Sequence, residues 1–153
     1  MDSCTEPRRR RGRRGQSLVE FAITAPILLV FLGITVDLGR GFSIGSQVSN
    51  ASREGALFAA HHAATETSRT NFENDIKTVM QNEEQASPAA MKCPTALAPV
   101  FSYSPSTPTI PLAAGTTSTL TITVSCTFTA LVNYSPDGSP RTVKSVVKTY
   151  LAN

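Results

Sequence analysis

The chain has no tryptophan, only two histidines, and charge on just 16% of its residues, well below the roughly 25% of an ordinary soluble domain. It contains no glycine-rich phosphate loop, no metal-ligand spacing and no nucleophile elbow. The carboxylates are scattered, so general acid–base chemistry has no focus. His61 and His62 are adjacent; on a helix such neighbours diverge by about 100°, and no third ligand is signalled near them. The expectation is a protein that is not an enzyme, with no catalytic residue, no cofactor and no metal. At 153 residues there is room for one globular unit at most, which excludes separate cofactor and substrate lobes.

Positive charge is scarce outside the N-terminus. Arg8, Arg9, Arg10, Arg11, Arg13 and Arg14 are opposed there only by Asp2 and Glu6. Of the fourteen basic and eleven acidic residues in the chain, eight and nine are then left for everything after residue 15. The formal charge of +3 therefore belongs to the leader, and no nucleic-acid partner is expected of the nearly neutral body.

What the chain does have is one long apolar run. Phe21 to Val36 carries no charge, and extending it back to Leu18 adds only Glu20. At about 1.5 Å per helical residue the nineteen residues reach roughly 28 Å, close to the hydrocarbon thickness of a bilayer. No other window compares, so at most a single pass is expected. The arginines precede the run, and by the positive-inside rule the N-terminus is cytoplasmic and the region beyond about residue 40 extracytoplasmic. A cleaved secretory signal is the competitor, but Asp37 and Arg40 crowd the junction where a small-x-small site would lie. A lipoprotein signal fails because Cys4 comes before the run.

The segment Arg14-Gly15-Gln16-Ser17-Leu18-Val19-Glu20-Phe21 resembles the class III signal of type IV pilins and pseudopilins. The longer stretch RGQSLVEFAITAPILLVFLGITVDLGRGF, followed by QVSNASREGALFAA, is similar to the TadE-like family of tight-adherence pilus assembly proteins. The order of Pro26, Asp37-x-Gly39-Arg40 and Asn50-x-x-Arg53-Glu54-Gly55 carries this likeness, strongly over about residues 12 to 60 and only in outline beyond. It implies a minor pseudopilin of a Flp-type pilus, cut by prepilin peptidase after Gly15, with Gln16 as the new N-terminus and Glu20 fifth in the mature chain. Its partners would be the membrane, the peptidase, and other pseudopilins or the major pilin, in adhesion or secretion. The alternative is an uncleaved single-pass membrane protein with an extracytoplasmic binding domain.

Elementary chemistry bears on the same residues. A carboxylate beside an apolar run is costly in lipid, so Glu20 should lie at the interface, be protonated, or be paired, with the α-amino group of Gln16 an obvious partner. Its simpler role is to sit in the cytoplasmic headgroup layer. Pro26 removes one helical hydrogen bond and predicts a bend. Gly33, Gly39, Gly41 and Gly45 offer a small-residue face for another helix, although glycine is common in membrane helices in general.

Beyond the run, Ile44, Val48, Ala51, Ala56, Leu57, Ala59 and Ala60 recur at helical spacing, predicting one helix from Ser17 to about Ala64. Asp37 and Arg40, at i and i+3, are expected to pair as exposed charges. Phe72, Ile76, Val79 and Met80 predict an amphipathic helix over 70–85 with an acidic outer face. The alternation of Leu120, Ile122, Val124, Cys126, Phe128 and Ala130 with hydroxyl residues predicts a strand over 119–132. Shorter strands are expected at 100–103 and 142–151, an exposed loop at 104–118, and a turn at Pro136-Asp137-Gly138. Loss of Cys4 with the leader would leave Cys93 and Cys126, either bonded to each other or as buried thiols. The fold class expected is α+β: a 1–15 basic leader, a 16–64 transmembrane and stalk helix, and a 65–153 extracytoplasmic domain holding the second helix and a small antiparallel sheet.

Overall fold

A computed structural model describes residues 13–89, 92–105, 108–130 and 139–152. The arginines before residue 13, Cys4, residues 131 and 132 of the expected long strand, and the Pro136-Asp137-Gly138 turn lie outside the described residues. Helix α1 runs Arg13–His62 and α2 Arg69–Ala86, followed by strands β1 Val100–Ser104, β2 Thr117–Phe128 and β3 Arg141–Ala152. The fold is α+β.

No proline occurs between Pro26 and Pro88, so nothing interrupts the backbone ladder of α1 once it has passed Pro26. The helix ends where Thr65 and Glu66 both donate their backbone N–H to His62 O. Ser68 then starts α2 by accepting the Asn71 N–H on its hydroxyl at 3.3 Å, filling one of the orphan donors of the first turn. Ser87, in extended conformation ahead of Pro88, stops it.

The sheet is antiparallel in the order β1-β2-β3. Alternation along β2 puts Leu120, Ile122, Val124, Cys126 and Phe128 on the buried face. Register places Ile122 opposite Val147, Cys126 opposite Val143 and Phe128 opposite Arg141, and on the outer face Thr119 opposite Tyr150 and Thr121 opposite Lys148. α1 covers the inner face through Ile44, Val48, Ala51, Ala56 and Ala59, all buried. Leu57, although part of the same apolar series, points to solvent, because it lies one residue, about 100° of helix, beyond Ala56.

α2 packs back along α1 with Phe72, Ile76 and Met80 fully buried. The close approach requires Gly55: a Cβ there would lie 2.8 Å from Met80 Cγ and 3.2 Å from Ile76 Cγ2. The acidic face is not wholly outward. Glu84 falls on the i+4 continuation of the apolar stripe and is buried, while its backbone carbonyl accepts the Gln47 Nε2–H at 3.2 Å.

The segment expected as an exposed loop over 104–118 is in part internal. Leu112 is buried and its N–H donates to Ala63 O at 3.1 Å, so this connection closes the end of α1 and the core beneath it. Cys93, on the connector after α2, is bonded to Cys126 on the inner face of β2.

Candidate functional site

The N-terminal half of α1 is uncovered. Leu18, Phe21, Ile23, Ile27, Leu28, Leu29, Val30, Phe31, Leu32, Ile34 and Val36 are all exposed to the surroundings, and the helix is long and apolar enough to cross a membrane. Both of its threonine hydroxyls are satisfied within the helix. Thr24 Oγ1 donates to Glu20 O at 2.6 Å and Thr35 Oγ1 to Phe31 O at 2.9 Å, the arrangement a hydroxyl needs where no water is available. Gln16 Nε2 donates to Glu20 Oε1 at 3.2 Å. Two of the three candidate processing residues are thus in contact one turn apart, and Gly15 precedes them inside the same helix.

The folded domain meets α1 just beyond the apolar run. Arg40 Nη1 lies 3.8 Å from Asp37 Oδ1, but the Asp37 side chain is 1% exposed against 35% for Arg40. The expected exposed pair is therefore wrong for its acidic member, because the membrane-proximal ends of β2 and β3 cover that side of α1. Asp37, Leu38, Phe42, Phe128 and Arg141 line a cleft of about 740 Å³ there.

The four glycines singled out for helix association divide. At Gly41 a Cβ would meet the Phe128 ring at 3.1 Å, and at Gly45 it would meet Val143 Cγ1 at 3.5 Å, so both positions face the chain's own sheet. Gly39 has nothing within 4 Å of such a Cβ, and Gly33 is half-buried. Small size at 41 and 45 lets the sheet sit against the helix, a use the sequence pattern did not separate from contact with another helix. Leu38 and Phe42, spaced i and i+4, are the exposed apolar residues that follow the run; that spacing was the available signal.

Farther along α1, Ser52 Oγ donates to Ser49 O at 2.8 Å and lies 2.8 Å from Ser145 Oγ on β3. Gln47 is buried, and its Oε1 has no hydrogen-bond partner. His61 is exposed, and His62 Nδ1 lies 3.0 Å from Phe58 O with its ring stacked on Phe58 at 4.1 Å. Among the described residues no three His, Cys, Asp or Glu side chains cluster to hold a metal.

One polar cluster ties α2 to the sheet. Tyr103 Oη donates to Glu73 Oε1 at 3.1 Å, Arg69 Nε donates to the same oxygen at 3.0 Å, and the Arg69 guanidinium lies 4.5 Å from the Tyr103 ring centroid. Burial pushes the Tyr103 phenol above its ordinary 10, and the Glu73 carboxylate adds to this while Arg69 opposes it. For an acid held neutral by the fold, the unfolded chain loses its proton first. The stabilisation is therefore complete below about pH 10 and disappears as pH climbs toward the folded value. Phenolate absorbance should show Tyr103 resisting ionisation until the tail unfolds, and Tyr103→Phe should abolish that lag. Ionisation of every tyrosine near pH 10 with the fold intact would contradict it.

The assembled features offer binding surface, an apolar helix and a hydroxyl-rich sheet, and among the described residues no acid, base and nucleophile converge. In comparison with known proteins, the profile of the family described as TadE-like protein matches residues 15–57. Searches of curated proteins and of solved structures find no match.

Proposed function

Taking residues 15–57 as a TadE-like segment, which together with the apolar helix fits a Tad pilus-associated membrane protein, we propose that the chain is a minor pseudopilin of a tight-adherence pilus. It is anchored in the inner membrane with its N-terminus in the cytoplasm, and prepilin peptidase cuts it after Gly15. The domain from residue 65 onward is extracytoplasmic, and the protein works by lateral helix packing with other pseudopilins or the major pilin. The carrying observation is the uncovered apolar half of α1. A helix with that much apolar surface needs lipid or other helices around it.

Gly15, Gln16 and Glu20 carry the processing step. Cutting after Gly15 turns Gln16 into a chain end one helical turn from Glu20, where their side chains already touch. The new α-amino cation then offsets the cost of a carboxylate next to the apolar run. The scissile bond between Gly15 and Gln16 lies within the continuous helix α1. That same continuity favours the second reading, an uncleaved single-pass protein with an extracytoplasmic binding domain.

Mass analysis of the protein isolated from membranes separates the two. The expected product begins at Gln16, lacks Cys4, and is retained in the membrane fraction. A chain that keeps Met1 supports the second reading, and a soluble product starting beyond residue 41 overturns both.

A further inference from the structure

We propose that the free edge of β3, with the flank of α1 beside it, is a docking site for an extended acidic segment of another protein, which adds to the three-stranded sheet as one more strand. The site depends neither on cleavage after Gly15 nor on the pilus role. At about 1.5 Å per residue, Arg53 stands roughly 25 Å of helix beyond Val36, past the headgroup layer of any bilayer the apolar run crosses, so a partner in solution can reach it.

The backbone comes first. The order β1-β2-β3 leaves β3 paired on one side only, and among the described residues no strand joins its other side. Every second residue of such an edge turns both its N–H and its C=O outward. The strand is 12 residues long and contains no proline, about twice the usual strand. Beside it lies a cleft of about 230 Å³, lined by Arg53, Ala56 and Leu57 of α1 and by Val147, Lys148 and Thr149 of β3. Consecutive strand side chains leave on opposite faces, so three in a row border one cleft only where it runs along the edge itself. Its volume is below the roughly 300–1,000 Å³ of a small-molecule pocket and suits a side chain of an incoming strand.

Charge then selects the occupant. Arg53 and Lys148 are exposed, and neither has an ion pair or hydrogen-bond partner among the described residues. No acidic residue lines the cleft; Glu54 is turned about 100° round the helix from Arg53. None of the three strands holds an acidic residue, while β3 carries Arg141, Lys144 and Lys148. Lys144 and Lys148 share the outer face, opposite Ser125 and Thr121. Lysines on an edge guard against pairing with a like strand. Two copies of β3 laid antiparallel about Val146 would set Lys144 against Lys148, and no register would give either lysine a carboxylate. An extended segment bearing glutamate or aspartate meets Arg53, Lys144 and Lys148 with opposite charge while its backbone fills the outward groups.

The probe is a labelled, terminally blocked peptide of alternating threonine and glutamate, titrated into the detergent-solubilised full chain and read by fluorescence polarisation. Saturable binding is expected, with slowed amide exchange along β3 by mass spectrometry. The same peptide N-methylated on every residue keeps its charge, loses its donors, and should not bind. Arg53→Glu combined with Lys148→Glu should weaken the acidic peptide about tenfold, the worth of two ordinary exposed pairs, and should let an alternating threonine–lysine peptide bind instead, at an unchanged Tm. Lys144→Glu, at another exposed position of the edge, is the independent second variant and should weaken binding about threefold.

Equal binding by the N-methylated peptide would leave only charge attraction and overturns strand addition. Unchanged affinity in these variants, or no binding of the acidic peptide at millimolar concentration, overturns the site and leaves the lysines as guards of the edge. A dimer of the chain protected along β3 would put a second copy there, which also overturns it.

Discussion

Reducing the Cys93–Cys126 bond is expected to lower the stability of the folded tail by about 3 to 4 kcal/mol, the loop-entropy value for a bridge of this span. The bond joins residues 33 apart. It staples the connector between Ala86 and Val100 to the inner face of β2. Of that connector's described side chains only Cys93 and Leu97 are buried, so the bond supplies one of its two described anchors to the core. For a domain this small the loss corresponds to a fall in Tm on the order of 15–25 °C. Thermal melts of the detergent-solubilised chain with and without reductant, or of Cys93→Ser with Cys126→Ser, measure it. An unchanged midpoint, with two thiols confirmed free, would show that the bond carries no stability.

Phe72→Ala is expected to cost about 3 to 5 kcal/mol, the usual penalty for emptying a fully buried aromatic site. α2 is 18 residues long and mostly polar, and a helix of that kind is marginal in water by itself. It stays on α1 through Phe72, Ile76 and Met80, none of which is exposed at all. Gly55 admits Met80 and Ile76 so closely that the surrounding backbone has little room to collapse into the cavity. Losing the largest of the three should free α2 and with it the Arg69–Glu73–Tyr103 cluster. Denaturant unfolding gives the loss directly. Val79→Ala, at a half-buried position of the same helix, should cost much less. Equal losses for the two would mean that α2 is not held by its buried stripe.

The periodicities were readable without coordinates because each records a single face. β2 alternates almost without fault, so its buried row Leu120 to Phe128 follows from period two alone. α1 needed only the absence of proline after Pro26 and an apolar stripe every three or four residues. α2 was legible from Phe72, Ile76 and Met80. The resemblance over the first third of the chain rested on ordered residues, Gly15, Glu20, Pro26 and Gly39-Arg40 among them, and the family match over 15–57 covers the same ground.

Where one surface meets another, the sequence was silent. Asp37 looks like any exposed partner of Arg40 until the ends of β2 and β3 are laid over it. Glu84 looks like part of an acidic face, Leu112 like part of a loop, and Gly41 and Gly45 like an invitation to a second helix. Each of these depends on which element, distant along the chain, arrives at that spot. The amino-acid order determined a lipid-length apolar helix, a second amphipathic helix and an alternating strand, because those properties are local and repeat along the backbone. Only the tertiary structure decided which glycines the sheet consumes, which carboxylates are covered and where a cleft remains beside the span, because burial is a relation between surfaces and no single segment encodes it.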